Sequence, residues 1–205
     1  VVAAASVSMG FGATPLPGDA ASIRPLAIGA PAPSFNVRRP DGARYRFDPA
    51  ARVLPAVLVF YRGGWCPYCN THLGELSQAE AVLRKRGYEV LFLSADRPEI
   101  LRSSLNDKAE SDAAGYTLLS DSDASASRAF GVAFRVDDLT FQKYKSRGLD
   151  LEQTAGNALH ILPVPAVFIV DARGVIRFAH ANADYRVRLS AEALLEAAPP
   201  ATPVN

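Results

Sequence analysis

The hydrophobic positions of this chain fall in short runs, and their spacing predicts strands alternating with helices. Val57 to Tyr61 carries almost no polar residue, as a strand covered on both faces requires. Downstream, Leu73, Leu76 and Leu83 recur near helical spacing, so Pro67 to Arg86 reads as a helix stopped by Gly87. Pro67 suits the first turn, where its missing N–H costs nothing. Val90 to Leu93 is the next strand, and Pro98 to about Ala109 the next helix. Tyr116 to Leu119 reads as a short strand and Ala124 to Phe130 as a short helix ended by Gly131. In Phe35 to Asp48, Tyr45 and Phe47 alternate with Arg44 and Arg46 behind the turn Pro40-Asp41-Gly42, which predicts a hairpin. Ala166 to Val170 and Val175 to Ala179 form a second hairpin around Asp171-Ala172-Arg173-Gly174. Ser190 caps a closing helix that runs to Ala198. Within 137–162, Asp138 to Arg147 has helical character, and the remainder reads as a loop covering a site.

This order predicts an α/β domain: a mixed central sheet with helices on both faces, right-handed crossovers and an N-terminal hairpin. The domain spans 28–198. A proline-rich tail, 1–27, precedes it, and a frayed tail, 199–205, follows. A chain of 205 residues is long enough to bury a core of its own. The net charge is +1 with Lys and Arg scattered, so no basic stripe is available to a nucleic acid. No apolar run approaches the ~20 residues of a membrane span. Val1 to Ala13 is uncharged and contains Ala3-Ala4-Ala5, a small-residue pattern like the end of a processed signal peptide. The expectation is an exported, periplasmic protein, with a flexible arm on a cytoplasmic protein as the alternative.

The chain has two cysteines, Cys66 and Cys69. A bridge across so short a loop removes little unfolded-chain entropy, so structural stapling is a poor reason for the pair. Redox chemistry and metal binding are better ones. Cys66 falls between the end of a buried strand and the first helical turn. Unpaired N–H groups and the helix dipole favour a thiolate there. Cys69 lies one turn later on the same side of the helix, within reach of Cys66. Cys66 is therefore the attacking sulfur and Cys69 the resolving one. Arg62, just upstream, adds positive charge if it points inward. Trp65 belongs either to a substrate-facing surface or to the packing. His72 reads as a solvated surface residue, and Asp96 as a cap for the helix that follows it.

The run Val57-Leu58-Val59-Phe60-Tyr61-Arg62-Gly63-Gly64-Trp65-Cys66-Pro67-Tyr68-Cys69 resembles the active-site segment of peroxiredoxin-like proteins of the alkyl hydroperoxide reductase/thiol-specific antioxidant (AhpC/TSA) family. The likeness continues through Leu93 to Asp96, Leu118 to Asp121, Ala129 to Val132 and Phe168 to Arg177. It implies a thioredoxin-like fold, a peroxidatic role for Cys66 and a cis bond before Pro165, in a loop facing the cysteines. It also implies that Arg188 orients peroxide and stabilises the thiolate. The chain departs from the family where a threonine usually stands, at Gly63, and where a proline usually stands, at Val59. Cys69 occupies the place of a frequent glutamate. The Trp-Cys-x-x-Cys pattern is similar to thioredoxin and to membrane-anchored thiol–disulfide reductases.

Three activities stay open at this point. The first is a thiol-dependent peroxidase, an antioxidant that reduces hydroperoxides and is itself re-reduced by thioredoxin or a similar dithiol. The second is a thiol–disulfide oxidoreductase acting on protein disulfides. The third is a thioredoxin-fold copper-binding protein, with Cys66, Cys69 and a histidine, His72 or His160, as ligands. No organic cofactor is implied.

Overall fold

The computed structural model describes residues 15–106 and 117–201. The expected cleavage pattern Ala3-Ala4-Ala5, the end of the second helix at Asp107 to Ala109, and Tyr116 lie outside the described residues.

Strand β3 (Ala56–Tyr61) is buried at every position. Its side chains alternate between two cores: Ala56, Leu58 and Phe60 enter one, and Val57, Val59 and Tyr61 enter the other. That division requires a strand inside a sheet covered on both faces. Its companions are β1 (Phe35–Arg38), β2 (Arg44–Phe47), β4 (Glu89–Ser94), β5 (Thr117–Ser120), β8 (Ala166–Val170) and β9 (Ile176–Ala181). The seven strands form one sheet in the order β2-β1-β5-β4-β3-β8-β9. β3, β4 and β5 run parallel, whereas β8 lies antiparallel to β3. Both predicted hairpins form, as β1–β2 and β8–β9.

Helix α1 (Pro67–Lys85) is the crossover from β3 to β4 and covers the second core with Leu76 and Leu83. Helix α6 (Ala191–Ala197) packs beside it through Leu194, with Ser190 Oγ accepting from Ala193 N at 3.1 Å as the cap. Helices α2 (Pro98–Asn106) and α3 (Ser125–Ala129) follow β4 and β5. The first core centres on Phe60, Phe130 and Phe168. The ring of Phe130 lies 5.4 Å from that of Phe60 and 4.9 Å from that of Phe168, centroid to centroid. Truncating Phe130 to Ala removes a fully buried ring and costs about 3–5 kcal/mol.

The structure departs from the sequence expectations in four places. Residues 149–162 are not a loop: they hold α5 (Leu151–Ala155) and the start of β7 (Ile161–Pro163), which pairs with β6 (Ala133–Arg135) in a second small sheet. With α4 (Asp138–Ser146) they enclose a third core of Ala95, Val136, Phe141, Leu151 and Leu162. The proline-rich segment before residue 28 is not loose over its described part. Pro17 O accepts from Arg135 N at 2.8 Å, and Arg24 N and Leu26 N donate to Gly131 O and Phe130 O. At the other end, Pro199 O accepts from Tyr88 Oη, and Ala201 N donates to Arg86 O. Finally, no described peptide bond is cis, so the Val164–Pro165 bond is trans. A trans linkage carries the extended chain from β7 into β8, with Val164 N donating to Val132 O and Pro165 O accepting from Asn182 N.

Candidate active site

β3 ends at Tyr61, and α1 begins at Pro67. The five residues between them, Arg62 to Cys66, form the centre of the site. Cys66 is the N-cap of α1, with extended backbone (φ −90°, ψ 112°). Its carbonyl accepts from Cys69 N at 2.9 Å and Asn70 N at 3.1 Å, which starts the helix. Asn70 Nδ2 reaches back to Gly64 O at 2.8 Å and closes the turn. Both cysteines are buried, with Cys66 2% exposed and Cys69 0%, and the two thiols are unbridged.

The pair is electrostatically asymmetric. Cys66 is lowered to about 6, chiefly because the Cys69 thiol donates a hydrogen bond to it. Burial opposes the shift, while the Cys69 N–H and the charges of Arg62 and Arg188 assist it. Cys69 is pushed strongly upward by that same hydrogen bond, by burial and by the adjacent Cys66 charge. The two shifts run in opposite directions and favour the thiolate on Cys66 and the thiol on Cys69. The asymmetry runs in the direction that attack by Cys66 and resolution by Cys69 require.

Two arginines flank the sulfurs. Arg188, in the loop between β9 and α6, donates from Nη2 to Cys69 Sγ at 3.5 Å. Its Nε and Nη1 are buried without an acceptor among the described residues. Arg62 is buried and donates from Nη2 to Tyr144 Oη at 2.8 Å. Trp65 is half-buried, packs against both the second and third cores, and stands under the Arg62 guanidinium at 5.0 Å. Pro165 is buried one residue before Ala166, which pairs with Phe60, so it lies at the end of the sheet that carries the cysteines.

Gly63 is explained by close approach. A Cβ built there overlaps the Trp65 indole nitrogen and falls 2.7 Å from Asp96 Oδ1. A threonine does not fit at this position. Asp96 does not cap the helix that follows it. Its Oδ2 accepts from Gly64 N at 2.7 Å and holds the loop, and burial raises its carboxyl to about 6. His72 is not a surface residue either. It is buried, and its Nε2 bonds the Leu189 carbonyl at 2.8 Å, tying α1 to the Arg188 loop. His160 sits in the third core, stacked on Phe141 and bonded to Glu152 Oε1 at 2.8 Å. Among the described residues no group of three His, Cys, Asp or Glu side chains converges, and neither His72, bonded to the Leu189 carbonyl, nor His160, bonded to Glu152, joins the two cysteines as a third copper ligand. Tyr144 and Tyr185, which complete the surroundings of Arg62, were not picked out from the sequence. Nothing in a single sequence links them to a loop so distant along the chain.

Residues 28–179 match the AhpC/TSA family. Over 112 residues the chain is 33% identical to the peroxiredoxin Bcp of Escherichia coli K12, covering 54% of this chain and 67% of that protein. Among solved structures, a peroxiredoxin-like protein from Aquifex aeolicus superposes with a TM-score of 0.65 at 18% identity, covering 84% of this chain and 86% of that one. The peroxidoxin BcpB of Mycobacterium tuberculosis gives 0.60 at 17% identity, with 84% and 94% covered. A putative thioredoxin reductase from Burkholderia cenocepacia gives 0.65 at 16% identity, with 84% and 98% covered. These structural likenesses establish the thioredoxin-like fold.

Proposed function

The chain belongs to the AhpC/TSA family of thiol peroxidases, and from that premise we propose that it reduces hydroperoxides through the Cys66–Cys69 dithiol. The Cys66 thiolate attacks the terminal peroxide oxygen. The O–O bond breaks, the alkoxide or hydroxide leaves and takes a proton, and Cys66 becomes a sulfenic acid. The buried Nε and Nη1 of Arg188, which have no acceptor among the described residues, are the donors for the developing oxygen charge. Cys69 then attacks the sulfenic sulfur, its proton leaves with the hydroxyl as water, and a disulfide forms. Oxidation of Cys66 removes the negative charge and the acceptor that hold the Cys69 proton in place, so the first step raises the acidity of the second nucleophile. A dithiol of the thioredoxin class reduces the disulfide and becomes a disulfide itself.

The observation that favours this reading over exchange with protein disulfides is the match of residues 28–179 to the AhpC/TSA family, with 33% identity to a peroxiredoxin over 112 residues. The test is peroxide consumption coupled to a thioredoxin system, run beside reduction of a model protein disulfide. Turnover of hydrogen peroxide or an alkyl hydroperoxide with little disulfide reductase activity is expected. Protein-disulfide reduction without peroxide turnover overturns the assignment.

A further inference from the structure

Arg62 is an unusual cation. It is only 5% exposed and forms no ion pair with a carboxylate among the described residues. Its guanidinium instead lies among three rings, 4.5 Å from the centroid of Tyr185, 5.0 Å from Trp65 and 5.7 Å from Tyr144. Such faces stabilise a desolvated cation but fix its position weakly. The one directional contact of its guanidinium in the described structure is the 2.8 Å hydrogen bond from Nη2 to Tyr144 Oη.

Tyr144 comes from α4, in the lobe outside the main sheet. That lobe is firmly built. Asp137 caps α4 through Thr140 N at 2.9 Å, Phe141 is buried, and His160 stacks on Phe141 at 3.9 Å while bonding Glu152. Trp65 packs into the same small core, so the lobe meets the cysteine loop directly.

We propose that Tyr144 is a positioning residue of the thiol reaction, its hydroxyl fixing the Arg62 guanidinium over Trp65, the residue that precedes Cys66 in the loop. This rests on Cys66 being the nucleophile, as the proposed function has it. The groups whose hydrogen bonds or charge act on Cys66 are Cys69 from α1, Arg62 just after β3 and Arg188 from the last loop. The groups around Arg62 are Tyr144 of α4, Tyr185 and Trp65, and the Asp96 carboxylate is hydrogen-bonded to Trp65. Loss of the Tyr144 hydroxyl leaves Nη2 and Nε both without acceptors, and the guanidinium then turns toward water.

The test is the rate of iodoacetamide alkylation at Cys66 against pH, in the reduced full chain, with the modified peptide identified by mass. Tyr144→Phe keeps the ring and removes only the hydroxyl. It is expected to move the alkylation midpoint up by roughly half a pH unit while the plateau rate stays the same. Arg62→Gln is expected to move it further, and Tyr144→Phe is expected to add nothing in that background. Gln142→Ala, on the exposed side of α4, should leave the midpoint in place. A wild-type midpoint in Tyr144→Phe overturns the proposal, as does a shift that persists in full when Arg62 is already Gln. A wild-type chain whose Cys66 alkylates like an ordinary thiol would instead overturn the functional premise.

Discussion

Arg188 Nη2 donates to Cys69 Sγ at 3.5 Å, joining the loop before α6 to the first turn of α1. The contact falls on the resolving sulfur, and the same charge also acts on Cys66. In the proposed cycle this one side chain therefore bears on both sulfurs.

Arg188→Leu is accordingly expected to slow disulfide formation after Cys66 oxidation about tenfold or more. A hydrogen bond involving a charged group contributes roughly 1.5–3 kcal/mol. Rapid-quench trapping of free thiols after one equivalent of peroxide measures the step. A variant that closes the disulfide at the wild-type rate would remove Arg188 from resolution.

The pH dependence follows from the lowered Cys66. Oxidation by peroxide should rise through about pH 6 and level off above it. Stability shares the sign. An unfolded thiol ionises near 8.5, so the folded form releases its proton first between about 6 and 8.5. This contribution to stability is present above the unfolded value and lost as pH falls through about 6. Buried groups such as Asp96 and Asp121 titrate in both proteins, so the stability difference between wild type and Cys66→Ser in urea unfolding is the quantity that should grow as pH rises across that window.

Cys69→Ser removes the resolving thiol and the largest cause of the lowered Cys66. Peroxide should then drive Cys66 to the sulfenic and on to the sulfinic acid, where wild type stops at the disulfide. Mass spectrometry after graded peroxide distinguishes the two. Peptide mapping that finds no Cys66–Cys69 bridge in the oxidised wild type would contradict the assigned roles.

The parts of this site that are contiguous in sequence were legible in it. Cys66 at a helix start and Cys69 one turn on follow from strand–loop–helix patterning, and the unbroken apolar run of Val57 to Tyr61 placed the strand centrally. What failed to show were contacts made across the fold. His72 reads as a surface residue until the Arg188 loop covers it and offers the Leu189 carbonyl. Asp96 ends a strand just before a helix, which reads as a cap, but its partner is Gly64 N. The α4–α5 lobe carries Tyr144 from a stretch whose short apolar runs give little periodicity, so neither β7 nor the Arg62 cage was visible beforehand.

Gly63→Thr restores the residue that the family resemblance leads one to expect, yet it should reduce activity. The new Cβ overlaps the Trp65 indole and the buried Asp96 carboxylate, so the loop that carries Cys66 must shift. A loss of about 1–3 kcal/mol in unfolding free energy is expected from such overpacking. A fall in peroxide reactivity should accompany it. Denaturant unfolding and peroxide consumption check both, and a Gly63→Thr protein as stable as wild type and more active would contradict the steric account.

The central claim is that Cys66 is a thiolate arranged to attack peroxide. Stopped-flow mixing of the reduced protein with hydrogen peroxide, followed by the fluorescence of Trp65, the sole tryptophan, tests it most directly. The prediction is a single-turnover reaction first order in peroxide, much faster than a small-molecule thiol at the same thiolate concentration and abolished in Cys66→Ser. A rate equal to that of the free thiolate would contradict it, leaving a dithiol whose surroundings do nothing for peroxide.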